Sequence, residues 1–256
     1  MDTNTPPVSN ACSAGARLGG LGLLLVLLLL APSVHAQISP DRPGMGEGTS
    51  VVAPKRLQLE SGYGFVASDA ATSHDFGQLL VRYGVSSWLE ARAGVGSYVV
   101  HDAPVENGYS GTTLGGKVGL WQGERVNASA LSTWGLPTGT GVYAESDAWQ
   151  AVALAFDASV AGPVAVAASL GHTFAYGGES PAQTSFTATW GVEVNEAIGI
   201  GLGYAGFYEE GPNQNYLEGA ATYLVNDDVQ LDVNWAYRMG GDASEVHLGL
   251  GVARRF

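Results

Sequence analysis

The twelve-residue stretch EVHLGLGVARRF, which runs from Glu245 to Phe256, decides the fold. Apolar side chains recur at every second position, at Val246, Leu248, Leu250, Val252 and Phe256. Polar or small residues alternate with them, at Glu245, His247, Gly249, Gly251 and Arg255. A period of two predicts an extended strand with one apolar and one polar face.

The end of this stretch is compatible with two kinds of sheet. A terminal Phe256 on the apolar row is similar to the closing strand of bacterial outer-membrane β-barrels, although Arg254 stands where such strands more often carry a hydrophobic residue. An edge strand of a soluble sandwich would show the same alternation. The rest of the chain has to separate the two.

Strand and turn signals continue through residues 56–256. We predict about twelve strands of about ten residues: Arg56–Val66, Phe76–Val85, Trp88–Val100, Gly111–Trp121, Val126–Leu136, Asp147–Val160, Val164–Tyr176, Gln183–Val194, Ile198–Tyr208, Asn215–Val225, Val229–Arg238 and Glu245–Phe256. Short turns and longer loops alternate, and an even count puts both termini on the turn side. For the Ala-rich stretch Ala151–Ala168 a helical hairpin is the alternative, because alanine favours helices.

The segment before the strands divides into an export signal and an irregular arm. Residues 1–36 combine Arg17, an apolar run from Leu21 to Leu30 and small residues up to Ala36, which predicts a signal peptide cleaved after Ala36. Cys12 would leave with it, so the mature chain would contain no cysteine. Residues 37–55, which we name the arm, are rich in Pro, Gly and Ser and show no periodicity.

The aromatic residues of the apolar rows favour a membrane barrel over a soluble secreted β-protein. They fall toward the loop ends at Phe65, Trp134, Phe174, Tyr176, Trp235 and Tyr237, and toward the turn ends at Tyr83, Tyr223 and Phe256. Two aromatic belts are typical of the two membrane interfaces. The predicted fold is all-β: a transmembrane, antiparallel, up-and-down β-barrel in a Gram-negative outer membrane. The formal net charge of -13 argues against nucleic acid as a partner.

On this interpretation the polar rows line the lumen. The lumen candidates carry charges of both signs, at Glu60, Arg82, Glu90, Arg92, Lys117, Asp232, Arg238, Glu245 and His247. They either neutralise one another in a rigid wall or orient a passing solute. Glycines on the same face, at Gly199, Gly201, Gly203, Gly249 and Gly251, leave space for a ligand or for the inserted arm.

The longer loops are acidic and nearly free of Lys and Arg. Their carboxylates stand at Asp69, Asp75, Asp102, Glu106, Glu145, Asp147, Glu179, Glu209, Glu210 and Asp242. Such a rim repels anions and gathers cations. We expect divalent cations to bridge it to a lipopolysaccharide surface, and a cation preference in transport is the bolder hypothesis.

The sequence indicates no catalysis, no cofactor and no metal site. His74-Asp75 and His101-Asp102 lie at strand ends, where a barrel hydrolase could carry an acid and a base. Neighbouring residues of a strand point to opposite faces, so neither dipeptide forms an oriented pair. The histidines are scattered without the spacing of metal ligands.

The opening of the mature chain resembles the meta-pathway phenol-degradation family of outer-membrane transporters. The resemblance rests on the arm motif Asp41-Arg42-Pro43 and on three strand motifs, LQLESGY from Leu57, LVRYG from Leu80 and WLEAR from Trp88. It implies a channel for small, often aromatic or hydrophobic compounds. It also implies an ion-pair cluster in which the arm residues Asp41 and Arg42 meet inward-facing charges of the first strands.

The resulting prediction is a passive channel, with two alternatives left open. Its partners would be outer-membrane lipid and lipopolysaccharide, the barrel assembly machinery and a small-molecule solute. A surface barrel hydrolase would require the His and Asp residues above to converge in a cleft. A structural or adhesive barrel would have a filled lumen.

Overall fold

The computed structural model describes residues 37–69, 71–102, 104–175, 177, 181–211, 213–240 and 244–256, so the predicted signal peptide lies outside the described residues. All described strands belong to a single antiparallel sheet. Its first strand, β1 (Leu57–Ser68), pairs with β2 (Thr72–Gly84) on one side and with β14 (Glu245–Arg255) on the other. The sheet therefore closes into a barrel.

The remaining elements follow in chain order around the wall. They are β3 (Leu89–Gly94), β4 (Tyr98–His101), β5 (Gly108–Tyr109), β6 (Thr112–Gln122), β7 (Val126–Leu136), a 3₁₀ turn (Gly141–Tyr143), β8 (Trp149–Ala161), β9 (Val164–Thr173), β10 (Gln183–Glu193), β11 (Ile198–Tyr208), β12 (Gln214–Asn226) and β13 (Val229–Arg238). β3 and β4 both pair with β2, and they pair in turn with β6 and β5. β3 and β4 follow each other in one strand of the wall, and β5 and β6 follow each other in the next. The fourteen strands therefore form a closed barrel of twelve wall strands.

The predicted fold class is confirmed, and three strands begin and end at the predicted residues: Val126–Leu136, Ile198–Tyr208 and Val229–Arg238. The Ala-rich stretch forms β8 and β9, so the helical alternative is wrong. Its outward rows of Val, Leu and Phe supply the apolar face that a strand in lipid requires. Within the described residues, no helix is long and apolar enough to cross a membrane.

The third predicted strand, Trp88–Val100, differs from the structure because it is interrupted between β3 and β4. Gly96 has a φ of 43°, a left-handed conformation that a strand cannot contain. The Ser97 N–H donates to Ser110 Oγ (2.8 Å), and the Gln78 N–H donates to Ser97 Oγ (3.1 Å). These side-chain hydrogen bonds replace the interrupted ladder, which the alternation of residues did not predict.

The barrel is polar inside and apolar outside. Leu250 on the outer row is 57% exposed, whereas Glu60, Arg82 and Lys117 on inner rows are at most 1% exposed. Exposed aromatic side chains lie toward the loop ends at Trp134, Trp235 and Tyr237, and toward the turn ends at Trp88, Trp121, Trp190, Tyr83 and Tyr223. A soluble sandwich would bury these apolar rows, so this distribution is that of a membrane barrel.

Candidate functional site

The arm enters the barrel from the turn side and returns to the same side. At its start the Ile38 N–H donates to the Asp227 carbonyl (2.7 Å), which lies in the turn between β12 and β13. At its end the Lys55 N–H donates to the Gly84 carbonyl (2.7 Å) at the turn end of β2. A Cβ at Gly84 would lie 2.1 Å from the Ala53 carbonyl oxygen, so a glycine is needed where the arm passes.

A buried arginine joins the first strands to both limbs of the arm. Arg82 Nη1 donates to Glu60 Oε1 (2.7 Å), and its Nε donates to Glu90 Oε1 (2.8 Å). The same guanidinium donates to the carbonyls of Ser39 (3.3 Å) and Ser50 (2.8 Å). Because Arg82 bonds two wall carboxylates and two arm carbonyls, it fixes the outgoing and returning limbs together.

Asp41 is the arm's main electrostatic contact. Its carboxylate accepts hydrogen bonds from Lys117 Nζ (2.7 and 2.9 Å) and Arg92 Nη1 (2.5 Å), and Arg82 Nη1 lies 3.6 Å away. Burial alone would raise the Asp41 pKa, but the charges of Arg82, Lys117 and Arg92 outweigh it and hold the pKa well below the usual range. Asp41 therefore stays ionised in its site.

Arg42 ties the arm to strands on both sides of the place where the barrel closes. It donates to Gln78 Oε1 of β2 (2.7 Å), to both Asp232 oxygens of β13 (3.3 and 3.4 Å) and to the Leu250 carbonyl of β14 (3.3 Å). A Cβ at Gly251 would lie 2.3 Å from Arg42 Nε. This glycine leaves the space that the guanidinium occupies.

The middle of the arm reaches the central part of the lumen. The Met45 N–H donates to Glu218 Oε2 of β12 (2.9 Å), and the Pro43 carbonyl accepts from Asn234 Nδ2 of β13 (2.5 Å). On the way back the Val52 N–H donates to Glu90 Oε2 (2.8 Å). The arm thus occupies part of the lumen and is hydrogen-bonded to β3, β12 and β13.

The structure divides the predicted lumen residues into two groups. Glu60, Arg82, Glu90, Arg92, Lys117 and Asp232 all contact the arm. Arg238, Glu245 and His247 form a separate cluster closer to the loops, where Glu245 lies 3.8 Å from Arg238 Nη1 and 2.5 Å from His247 Nε2. Sequence reasoning missed Tyr216, whose hydroxyl donates to Glu245 (2.8 Å). Its position two residues before Glu218 on one strand was the available signal.

A cavity of about 450 Å³ lies inside the barrel, between arm residues 43–45 and the wall strands β1, β2 and β9 to β14. Its lining includes Gly199, Gly201 and Gly203 of β11 and Gly249 of β14. Near the turns the lining reaches Pro163 and Glu193, and near the loops it reaches Asp75 and His247. The glycines thus leave both kinds of space that the sequence predicts: Gly251 makes room for the arm, and the β11 glycines line a cavity beside it.

The candidate catalytic residues lie on two sides of the wall. His74 Nε2 lies 3.8 Å from Asp102 Oδ2, and its ring stacks against outward-facing Phe76. Asp75 lines the cavity, and His101 Nε2 lies 3.1 Å from the Tyr143 hydroxyl. The four residues do not converge in one cleft. Among the described residues no group of His, Cys, Asp and Glu could hold a metal ion.

A closed twelve-stranded barrel with an apolar outside and a charged inside defines the class of transmembrane β-barrels. Within it, the chain belongs to the family described as "Putative MetA-pathway of phenol degradation", whose model matches residues 40–256. That match confirms the resemblance found in the first strands and extends it to the whole barrel.

Solved structures show the same fold at low sequence identity. The NanC porin aligns with a TM-score of 0.56 and 9% identity, covering 77% of this chain and 98% of its own. The KdgM porin aligns with a TM-score of 0.52 and 15% identity, covering 77% of this chain and 99% of its own. No curated protein matches the sequence.

Proposed function

We propose that the protein is a passive outer-membrane channel for small, aromatic or hydrophobic compounds, with the arm narrowing the lumen to one passage. The observation that carries the proposal is the cavity that arm residues 43–45 and the wall strands β1, β2 and β9 to β14 enclose. Its volume of about 450 Å³ lies in the range of small-molecule sites, about 300–1,000 Å³. The family description supplies the link to phenol degradation.

The lining of the passage suits solutes with an apolar body and few polar groups. Gly199, Gly201 and Ala220 contribute backbone and methyl surface, whereas Thr189 and Thr222 contribute hydroxyl groups. A mostly apolar wall with a few polar groups is the usual composition of a site for small organic molecules. No step in this passage requires a bond to be made or broken.

The proposal places the barrel in the outer membrane of a Gram-negative cell. The predicted signal in residues 1–36 would direct export, and the assembly machinery would insert the barrel. Lipid would cover the apolar outer rows, and divalent cations would join acidic loop residues to lipopolysaccharide. Membrane fractionation with a heat-modifiability gel tests this location, and recovery as a detergent-free soluble monomer would contradict it.

Liposome swelling with neutral sugars of increasing size tests the channel. We expect swelling to be fast for the smallest sugars and to fall steeply with solute size, because the arm narrows the lumen. The control is liposomes that contain heat-denatured protein. The alternative is a structural barrel with a filled lumen, and the arm's many contacts inside the lumen are the observation that favours it. Swelling no faster than the control for every sugar would favour that barrel and reject the channel.

A further inference from the structure

One buried carboxylate in the described residues differs from the others in having no cationic partner. Glu60 and Glu90 pair with Arg82, and Asp232 pairs with Arg42. Asp228 pairs with Arg56 and Arg255. Glu218 is only 5% exposed, yet no Lys, Arg or His of the described residues lies within ion-pair distance of it. Burying a carboxylate without a counter-ion is costly, so a function for it is worth seeking.

Glu218 is held at the edge of the cavity by neutral donors. Its Oε2 accepts the Met45 N–H (2.9 Å) and its Oε1 accepts the Thr189 hydroxyl (3.2 Å). A Cβ at Gly203 would lie 3.0 Å from Oε1, so the glycine leaves the carboxylate uncovered on that side. A carboxylate has about four lone-pair sites, and these two bonds leave acceptor capacity for a solute.

The charges around the passage point in one direction. Among the described residues, its lining includes the acidic residues Asp75, Glu193 and Glu218 and no Lys or Arg, and its histidine, His247, is hydrogen-bonded to Glu245. Nearby cations are already engaged, since Arg42 bonds Asp232 and Lys117 bonds Asp41. These cations are therefore neutralised by their own partners, and the passage keeps a negative potential.

We propose that Glu218 is the specificity-determining residue of the passage, which admits cationic and hydroxyl-bearing aromatic solutes and rejects aromatic anions. This inference rests on the proposed channel function and adds the charge class of its solutes. A cationic group on the solute is attracted by the charge of the carboxylate, and a solute hydroxyl donates to its free lone pairs. A carboxylate or sulfonate on the solute is repelled and finds no Lys or Arg among the described lining residues to offset its lost hydration.

The test is a reversal-potential measurement on the full barrel in a planar bilayer, across a tenfold gradient of benzyltrimethylammonium benzenesulfonate. Both ions are aromatic, similar in size and permanently charged. We expect the wild-type channel to prefer the cation. In Glu218→Gln, which keeps the size and one acceptor oxygen, the cation-to-anion permeability ratio should fall at least about fivefold, the factor given by about 1 kcal/mol of charge interaction.

Two further variants separate a specific effect from a general one. Glu124→Gln removes one negative charge from an exposed turn residue outside the cavity lining and should leave the ratio unchanged. Glu218→Asp restores the charge and should restore the cation preference. Heat-modified gel migration shows whether each variant is folded.

The outcomes separate this inference from the channel proposal. If the wild-type channel conducts both ions equally or prefers benzenesulfonate, the proposed role of Glu218 is wrong and the channel proposal stands. This result needs no folded variant, because it is measured on the wild-type protein. Equal losses in Glu218→Gln and Glu124→Gln also overturn it. A wild-type barrel that conducts no ion at all removes the channel proposal itself.

Discussion

Asp41→Asn should release the arm without disturbing the wall. The Asp41 side chain is 9% exposed, and its partner Lys117 is fully buried. Removing one partner of a buried ion pair costs about 3–5 kcal/mol. Asparagine keeps part of the hydrogen bonding, so we take the lower figure, which corresponds to at least about a hundredfold shift toward the undocked arm.

Hydrogen exchange in detergent micelles measures this shift directly. Amides that the arm donates to wall carboxylates report docking, namely Arg42 to Glu60, Met45 to Glu218 and Val52 to Glu90. In Asp41→Asn their exchange should accelerate by about a hundredfold. Strand amides such as those of β11 should exchange as in the wild type.

Glu47→Gln is the matched control in the same arm. The Glu47 side chain is 38% exposed, and its carboxylate comes no closer than 3.5 Å to Arg92. Losing this ion pair should therefore cost less than about 1 kcal/mol. Equal exchange in both variants would refute the reasoning, because the three-cation site of Asp41 would then contribute no more than a surface pair. Unchanged exchange in Asp41→Asn would refute a docked arm held by charge.

Three other results are expected. Conductance should hold steady from pH 8 to pH 5. The lowered pKa of Asp41 means that its stabilisation of the docked arm is fully present above the ordinary carboxyl value of about 3.9. That stabilisation is lost only as the pH falls from there through the pKa of the docked state, so single-channel noise should rise below about pH 4. When Gly201 is replaced by Ala, Val and Leu in turn, sugar flux in liposomes should decrease stepwise with side-chain size. A Cβ at this position would meet only ordinary contacts, the nearest at 3.4 Å, so the wall should tolerate the changes. An unchanged flux in all three variants would show that solutes do not pass the β11 glycines. Leu250→Arg at the middle of the outer face should destabilise the barrel in vesicles by about 2–4 kcal/mol in guanidinium unfolding, against about 0–1 for Val225→Arg at the turn end; equal small costs would mean that lipid does not cover this face.

Alternation was enough to predict most of the wall. Val229–Arg238 shows a strict two-residue period, and its bounds agree with the structure. The interruption after Gly94 was missed because glycines recur in these strands, and only the backbone shows that Gly96 adopts a left-handed φ whereas Gly94 ends a strand. A residue type indicates which conformations are permitted, and the neighbouring strands determine which one is adopted.

The sequence was enough to predict which residues face the lumen, but not which of them pair with one another. Alternation put Lys117 and Asp232 on the inner face, and the family motif suggested that Asp41 meets charges there. That Lys117 bonds Asp41 across 76 positions of sequence depends on the stagger of strands and on the path of the arm. The same dependence hid the exceptional state of Glu218, whose lack of a cation becomes visible only when every other pair has been placed.

The contacts of Arg42 have a consequence for how the molecule is built. This residue, which precedes the first strand in the sequence, bonds β2 on one side of the β1–β14 seam and β13 and β14 on the other. Those bonds can form together only after the first and last strands have met. The arm therefore precedes every strand in the sequence but completes its contacts only after the barrel has closed. Its bonds then hold β2, β13 and β14 together across the β1–β14 seam.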